Sequence, residues 1–98
     1  MNYILKPTNL FLEQLDNLSY KSRQILKEKL ETLKINPILN KRIPEYNLFL
    51  FRIRFSDLRK EKRVIYFLDK KDVKILYILD RDNNYKDLKK YLVRFGLI

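Results

Sequence analysis

The sequence contains no cysteine and no histidine, and its single glycine is Gly96. Without cysteine no disulfide framework can form, and without either residue the usual zinc ligands are missing. Ser–His and Cys–His nucleophiles are excluded for the same reason. One glycine near the end of the chain cannot build a phosphate-cradling glycine loop. These absences remove most conventional catalytic sites.

Long apolar runs are also missing. No stretch approaches the roughly 18 apolar residues of a transmembrane helix. Lys6, Pro7 and Glu13 interrupt the N-terminal segment, so we expect no signal peptide. A chain without cysteine fits a reducing compartment, and we therefore expect a cytoplasmic protein.

Positive charge is what the chain has in excess. Lysine and arginine number 22 against 12 aspartates and glutamates, a net charge of +10 over 98 residues. Such an excess repels itself and disfavours the compact state, so it indicates a polyanionic or acidic partner. A generally basic proteome is the alternative explanation. Hydrophobic residues make up 46% of the chain, enough for the core of one domain spanning residues 1–98.

Hydrophobic periodicity predicts elements in the order β-α-α-β-β-β-α. Ser19 is the expected N-cap of the second helix, and Asp82 or Asn83 that of the last. The predicted strands cover 2–6, 48–55, 63–69 and 73–80, and the predicted helices cover 10–18, 19–36 and 83–95. The connections are predicted as a loop over 37–47, a charged hairpin loop over 56–62 and a tight turn over 70–72.

This order predicts an α+β fold with a mostly antiparallel sheet, a helical hairpin on one face and a C-terminal helix. Strands joined by short turns pair antiparallel, and we expect the helices to cover one face, giving two layers. Alternation in the first long strand separates Arg52 and Arg54 from the apolar side chains. The two arginines should therefore point to a partly open sheet face. The apolar side chains on the other face are predicted to be Phe49, Phe51, Ile53 and Phe55.

Arginines at the strand ends complete a candidate catalytic site. Arg63 opens the strand that a hairpin places beside Arg52 and Arg54, Arg81 ends the last strand, and Tyr85 follows it. Guanidinium groups bind phosphate oxygens in bidentate fashion and can stabilise charge that develops on a reacting phosphodiester.

Each of these residues also has a structural explanation. Arg52 and Arg54 could be the solvated charges of an edge strand, which oppose aggregation. Arg63 could form an ion pair with Glu61 or Asp69, and Arg81 could be neutralised by its neighbours Asp80 and Asp82. Tyr85 could simply belong to the apolar stripe of the last helix.

Several short motifs occur in a characteristic order. The helical hairpin ends in "INP", the first long strand contains "LFRIRF", the next opens with "RVIY", and the chain closes with "RDNNYKDL". In this order, and over essentially the full length, the chain resembles the RelE/ParE superfamily of toxins from bacterial type II toxin–antitoxin systems. The resemblance implies a compact toxin that an antitoxin neutralises. Its RelE branch, which we favour, implies ribosome-dependent cleavage of mRNA in the decoding site.

The resemblance also implies catalytic roles for the arginines and the tyrosine. Arg52, Arg54 and Arg63 would hold the phosphate while the substrate's own 2′-OH attacks it. Arg81 would support the leaving 5′-oxygen, and Tyr85 would orient a base or help to activate the 2′-OH. No metal or other cofactor is implied, because the cations are side chains.

Two departures from the family pattern concern proton transfer. RelE itself has lysines where this chain has the strand arginines, and many relatives have a histidine where this chain has Asp80. Arginine is effectively never deprotonated and is a poor general base. A lysine of the hairpin loop could substitute, and the identity of the acid and the base stays open.

Further basic residues are candidates for nucleic-acid binding. Arg59, Lys60 and Lys62 lie in the predicted hairpin loop, and Arg23 and Lys27 lie on the second helix. Each could bind RNA phosphates or simply form a solvated face. The partners implied are mRNA, the ribosome and a cognate antitoxin with an acidic or amphipathic segment, and no membrane.

Two other functions remain open. A ParE-like toxin would share the fold but inhibit DNA gyrase, and its expression would trigger DNA-damage signalling instead of mRNA loss. A non-catalytic nucleic-acid-binding domain would bind free RNA with a steep salt dependence and would cut nothing.

Overall fold

A five-stranded sheet with the strand order β1-β5-β4-β3-β2 forms the centre of the fold. The computed structural model describes residues 2–83 and 85–98. Strand β1 runs parallel to β5, and every other neighbouring pair is antiparallel. The strands are β1 (Ile4–Pro7), β2 (Lys41–Ile43), β3 (Leu50–Asp57), β4 (Lys60–Asp69) and β5 (Asp72–Asp80), and the helices are α1 (Asn9–Asp16), α2 (Tyr20–Thr32) and α3 (Leu88–Arg94). The predicted α+β class and mostly antiparallel sheet are confirmed.

Helices α1 and α2 form the predicted hairpin on one face of the sheet. Both begin at a side-chain cap: Thr8 Oγ1 accepts a hydrogen bond from the backbone of Phe11, and Ser19 Oγ accepts one from Ser22. Such caps contribute about 1 kcal/mol each, and the predicted role of Ser19 is confirmed. The core beneath the hairpin includes Phe11, Leu15, Leu26, Leu30, Phe51, Ile53, Phe55, Val64 and Tyr66.

Helix α3 packs on the opposite face of the sheet. Its buried residues Leu88 and Leu92 belong to a second apolar cluster with Ile43, Leu50, Ile65, Leu76, Tyr77 and Leu79. The expectation that all helices share one face is therefore wrong. The hairpin already fills its own face, so the apolar stripe of α3 can be buried only on the other.

The last helix begins later than predicted. The predicted range 83–95 includes Asn84, which lies outside the described residues, and the observed helix starts at Leu88. Tyr85 has φ of +63°, a left-handed conformation that a right-handed helix cannot contain. The Asn83 amide donates to Asp87 Oδ2 at 3.0 Å. Asp87 occupies the N-cap position, so capping of this helix by Asp82 or Asn83 was a wrong prediction.

Strand β2 lies within the segment that was predicted as a loop. Its three residues pair with β3, with Lys41 opposite Arg52 and Ile43 opposite Leu50. Pro37 and Pro44 indicated a loop, but both lie outside the strand, where their missing N–H groups do not interrupt the pairing.

The connection between β3 and β4 is far tighter than the loop predicted over 56–62. Asp57 pairs with Lys60, so only Leu58 and Arg59 turn, with φ of +49° and +68°. Two positive φ angles are typical of the type I′ turns that join twisted strands. Lys60 and Lys62 consequently belong to β4 and not to a loop.

Other boundaries differ by a few residues. Strand β1 starts at Ile4 and includes Pro7, which an edge strand tolerates. Phe49, predicted to share the apolar face of this strand, precedes β3 and is 56% exposed, so it is not buried with Phe51, Ile53 and Phe55. The turn predicted over 70–72 is confirmed, with Lys70 at a φ of +56°. No helix among the described residues is long and apolar enough to cross a membrane.

Candidate active site and nucleic-acid interface

Basic side chains from three adjacent strands meet on the sheet face opposite the helical hairpin. Directly paired residues of antiparallel strands point to the same face. Arg54 is paired with Arg63, and Arg52 with Lys41. We call these residues, Lys41, Arg52, Arg54 and Arg63, the arginine face. Like charges directly opposite each other are destabilising, so the arrangement has an energetic cost that packing alone does not explain.

Tyr85 joins two residues of the arginine face. Its hydroxyl accepts a hydrogen bond of 2.8 Å from Arg52 Nη1, and the guanidinium of Arg63 lies 5.4 Å from the centre of its ring. The ring also packs against the apolar cluster beneath α3, as the packing alternative predicts. The positive φ of Tyr85 costs about 1 kcal/mol or more and persists only where surrounding contacts hold it.

Two guanidinium groups of the arginine face carry buried donors without partners. Arg63 is only 8% exposed, and its Nε has no hydrogen-bond partner among the described residues. Arg52 Nε is also buried and has no hydrogen-bond partner among the described residues. A buried donor left unpaired costs about 1–3 kcal/mol, so both atoms are suited to an incoming acceptor. Arg54 is exposed and lines a groove of about 390 Å³ with Asn40, Lys41 and Arg52.

Arg81 reaches the site through Glu61. Arg81 Nε lies 3.3 Å from Glu61 Oε2, and Arg63 Nη2 lies 4.0 Å from the same oxygen. The ion pair considered between Arg63 and Glu61 is thus present, whereas Arg81 pairs with Glu61 and, among the described residues, not with its neighbours Asp80 and Asp82. The side chain of Arg81 is 69% exposed, so its pair adds little stability.

The residues predicted to bind nucleic acid are spread over the molecule. Lys62 lies on the hairpin face and forms an ion pair of 2.6 Å with Asp80, while Arg59 and Lys60 are exposed at the β3–β4 turn. Arg23 and Lys27 lie on α2, across the sheet from the arginine face. Arg59 and Lys60 therefore adjoin the site, because they line a groove with Glu61 and Arg81, whereas Lys62, Arg23 and Lys27 lie apart from it.

Sequence reasoning missed Lys41, and it considered Glu61 only as a possible ion-pair partner of Arg63. Lys41 fell in a predicted loop, where no register could be assigned. Glu61 fell in the predicted hairpin loop, although its position two residues before Arg63 places both side chains on one face once the strand is extended. Recognising the two-residue turn would have found it.

Tyr66 supports the strand that carries Lys41. Its hydroxyl donates to the carbonyl of Pro37 and accepts a hydrogen bond of 3.1 Å from the Asn40 amide. Burial raises the pKa of Tyr66 to about 12. Burial, with Tyr91, Asp87 and Tyr85 nearby, also raises the pKa of Tyr77. Both phenols therefore stay neutral at physiological pH.

Comparison with known proteins identifies the fold. No protein-family model matches the chain, and no curated protein matches its sequence. A double arginine-to-alanine mutant of Escherichia coli toxin RelE in the free state is similar, with a TM-score of 0.75, 20% identity and coverage of 96% of this chain and 98% of that one.

Two toxin–antitoxin complexes are similar as well. The intact E. coli RelBE complex has a TM-score of 0.67 and 20% identity over 80% of this chain and 95% of that one. The archaeal RelE–RelB complex from Pyrococcus horikoshii OT3 has a TM-score of 0.57 and 22% identity over 83% of this chain and 97% of that one. The chain therefore has the RelE toxin fold, as the motifs predicted.

Proposed function

We propose that this protein is the toxin of a type II toxin–antitoxin system and cleaves mRNA in the decoding site of the ribosome. The observation that carries the proposal is the arginine face, with Tyr85 bound to Arg52 and stacked against Arg63. The RelE-like fold supports it, because a cationic sheet surface on this fold suits a phosphodiester substrate.

The proposed reaction is attack of a ribose 2′-OH on the adjacent phosphate, which releases the 5′-oxygen of the next nucleotide. Arg52, Arg54 and Arg63 bind the phosphate and stabilise the charge that develops on its oxygens. The unpaired Nε atoms of Arg52 and Arg63 are the donors best placed for this role, because binding an anion would remove an existing energetic cost.

Arg81 and Tyr85 complete the proposed site. Arg81 supports the leaving oxygen from the edge of the arginine face, to which Glu61 holds it. Tyr85 orients the guanidinium groups of Arg52 and Arg63 and presents its half-buried ring to a base. The exposed residues Arg59, Lys60 and Lys27 and the half-buried Arg23 bind ribosomal RNA in this proposal, and Lys62 does so only if it leaves Asp80.

The proposed partner of the free toxin is a cognate antitoxin. Two similar structures are RelE–RelB complexes, and the net charge of +10 favours an acidic partner. An acidic or amphipathic segment would either cover the arginine face or displace α3, which contributes only Leu88 and Leu92 as buried residues.

Expression in bacterial cells tests the proposal. We expect growth arrest with loss of mRNA, and co-expression of the antitoxin should relieve it. Arg63→Ala and Arg81→Ala should each abolish the arrest, because both remove a cation that stabilises the transition state. Lys29→Ala on the exposed side of α2 removes the same charge across the sheet and should change nothing.

The competing toxin function gives a different result in the same cells. DNA-damage signalling with intact mRNA would contradict the proposal and favour inhibition of gyrase. Full arrest by both arginine variants would contradict the roles assigned to Arg63 and Arg81.

A further inference from the structure

Glu61 places a carboxylate among the cations of the proposed site. It lies two residues before Arg63 on β4, so both side chains are on the same sheet face. On β3 it is paired with Ser56, which lies two residues after Arg54 and therefore on the same sheet face. Oε2 lies 3.3 Å from Arg81 Nε and 4.0 Å from Arg63 Nη2.

The same oxygen is ion-paired but accepts no hydrogen bond. Glu61 Oε2 is buried and has no hydrogen-bond donor among the residues that the structure describes, although it lies beside Arg81 and Arg63. A buried acceptor without a donor is costly, and a catalytic role is one of the reasons for which native structures retain such a group. The proton of a substrate hydroxyl would satisfy it.

The proposed reaction needs a proton acceptor that the arginines cannot provide. A guanidinium group has no free acceptor and does not lose its proton in proteins. Lys62, a hairpin lysine considered for this role, lies on the other sheet face and is paired with Asp80 at 2.6 Å. Tyr85 already accepts a hydrogen bond from Arg52.

We infer that Glu61 is the general base of the reaction. Its carboxylate removes the proton from the attacking 2′-OH as the bond from 2′-oxygen to phosphorus forms. The bond from phosphorus to the 5′-oxygen breaks, and a solvent water protonates that oxygen. The products are a 2′,3′-cyclic phosphate and a 5′-hydroxyl, and Glu61 then returns its proton to solvent. Because this role exists only if the protein cleaves RNA, the inference rests on the proposed function.

The surroundings of Glu61 make a pH test informative. The groups nearest to it are Arg63 on β4, Arg54 and Ser56 on β3, and Arg81 after β5. Arg59, Lys60, Asp80 and Asp82 line a groove with it. Arginine and serine do not change protonation between mildly acidic and mildly alkaline pH, and the lysine and both aspartates are still present when Glu61 is replaced. A fall in the cleavage rate on acidification that is lost when Glu61 is replaced therefore reports Glu61.

The test compares Glu61→Gln with the wild type in single-turnover cleavage of mRNA on programmed ribosomes, across that pH range. General acid–base catalysis contributes roughly 10²- to 10⁴-fold, so we expect a rate loss of about that size and loss of the acidic fall in rate. Glu61→Asp keeps a carboxylate and should retain that fall at a reduced rate. Glu28→Gln, an exposed helical residue across the sheet, should behave as the wild type.

The outcomes separate this inference from the proposed function. A wild type that cleaves, together with a folded Glu61→Gln that cleaves equally fast or faster, would overturn the role of Glu61 alone. It would then be a counterion of Arg63 and Arg81. A slower Glu61→Gln with an unchanged pH profile would overturn the role too. A wild type that cleaves nothing would contradict the proposed function itself and this role with it.

Discussion

At the scale of single residues, Tyr85 organises the arginine face. Its hydroxyl holds Arg52 and its ring supports Arg63, so one side chain fixes two guanidinium groups. Fixed donors stabilise a transition state better than donors that must reorganise during the reaction.

Tyr85→Phe removes the acceptor for Arg52 and keeps the ring against Arg63. A hydrogen bond to a charged group contributes about 1.5–3 kcal/mol, so we expect cleavage to slow about tenfold or more. Tyr85→Ala should lose more, because the support of Arg63 disappears as well. Single-turnover cleavage measures both.

Tyr46→Phe is the matched control. Tyr46 has a φ of +65°, close to that of Tyr85, but it lies outside the arginine face. Its replacement should leave cleavage unchanged. Equal rates for Tyr85→Phe and Tyr46→Phe would contradict the orienting role of the Tyr85 hydroxyl.

How far the site could be predicted from the sequence depends on the residue. Alternation in β3 was enough to place Arg52 and Arg54 on one face, because the period of a strand does not depend on its partners. Lys41 could not be placed, since its position follows from the pairing of a three-residue strand with Arg52. Such a pairing is decided by tertiary contacts.

At the scale of secondary-structure elements, the tight β3–β4 turn is tied to the helical hairpin. Asp57, the last residue of β3, accepts hydrogen bonds from the backbone and hydroxyl of Ser19 at 3.2 and 2.8 Å. The hydroxyls of Ser22 and Ser19 lower the pKa of Asp57. One carboxylate thus joins the end of a strand to the start of α2.

Asp57→Asn should destabilise the fold in a pH-dependent way. Because the folded pKa is lowered, the ionised carboxylate stabilises the fold above the ordinary value of 3.8, and this contribution is lost as the pH falls through the lowered pKa. We expect a loss of about 1–2 kcal/mol near neutral pH, which shrinks in acid. Chemical denaturation at several pH values measures it.

Asp69→Asn is the control for this prediction. Asp69 forms an ion pair with Lys74 at 3.5 Å, but its side chain is 46% exposed. Its replacement should cost no more than about 0.5 kcal/mol. A destabilisation by Asp57→Asn that is the same at acidic and neutral pH would contradict the account of the Asp57 carboxylate.

Sequence patterns predicted the helices α1 and α2 well but misplaced the start of α3. The caps and apolar stripes of α1 and α2 are local signals, and both helices formed where predicted to within a few residues. The predicted start of α3 was too early, because the helical spacing of Tyr85 and Leu88 gives no information about the backbone conformation of Tyr85. The left-handed φ of Tyr85 carries no sequence signal.

At the scale of the whole molecule, helices cover the two sheet faces unequally. The hairpin buries one face, while α3 covers the other with a short helix and leaves the arginine face beside it. The net charge of +10 favours a polyanionic partner, and in the proposed function the buried donors of Arg52 and Arg63 are where its phosphate would bind.

The measurement that tests the central claim most directly uses purified protein, programmed ribosomes and primer extension to map mRNA 5′ ends. We predict a cut within the codon in the decoding site, and no cut when ribosomes are left out. An intact message from folded wild-type protein would contradict the claim that the arginine face is the active site of a ribosome-dependent ribonuclease.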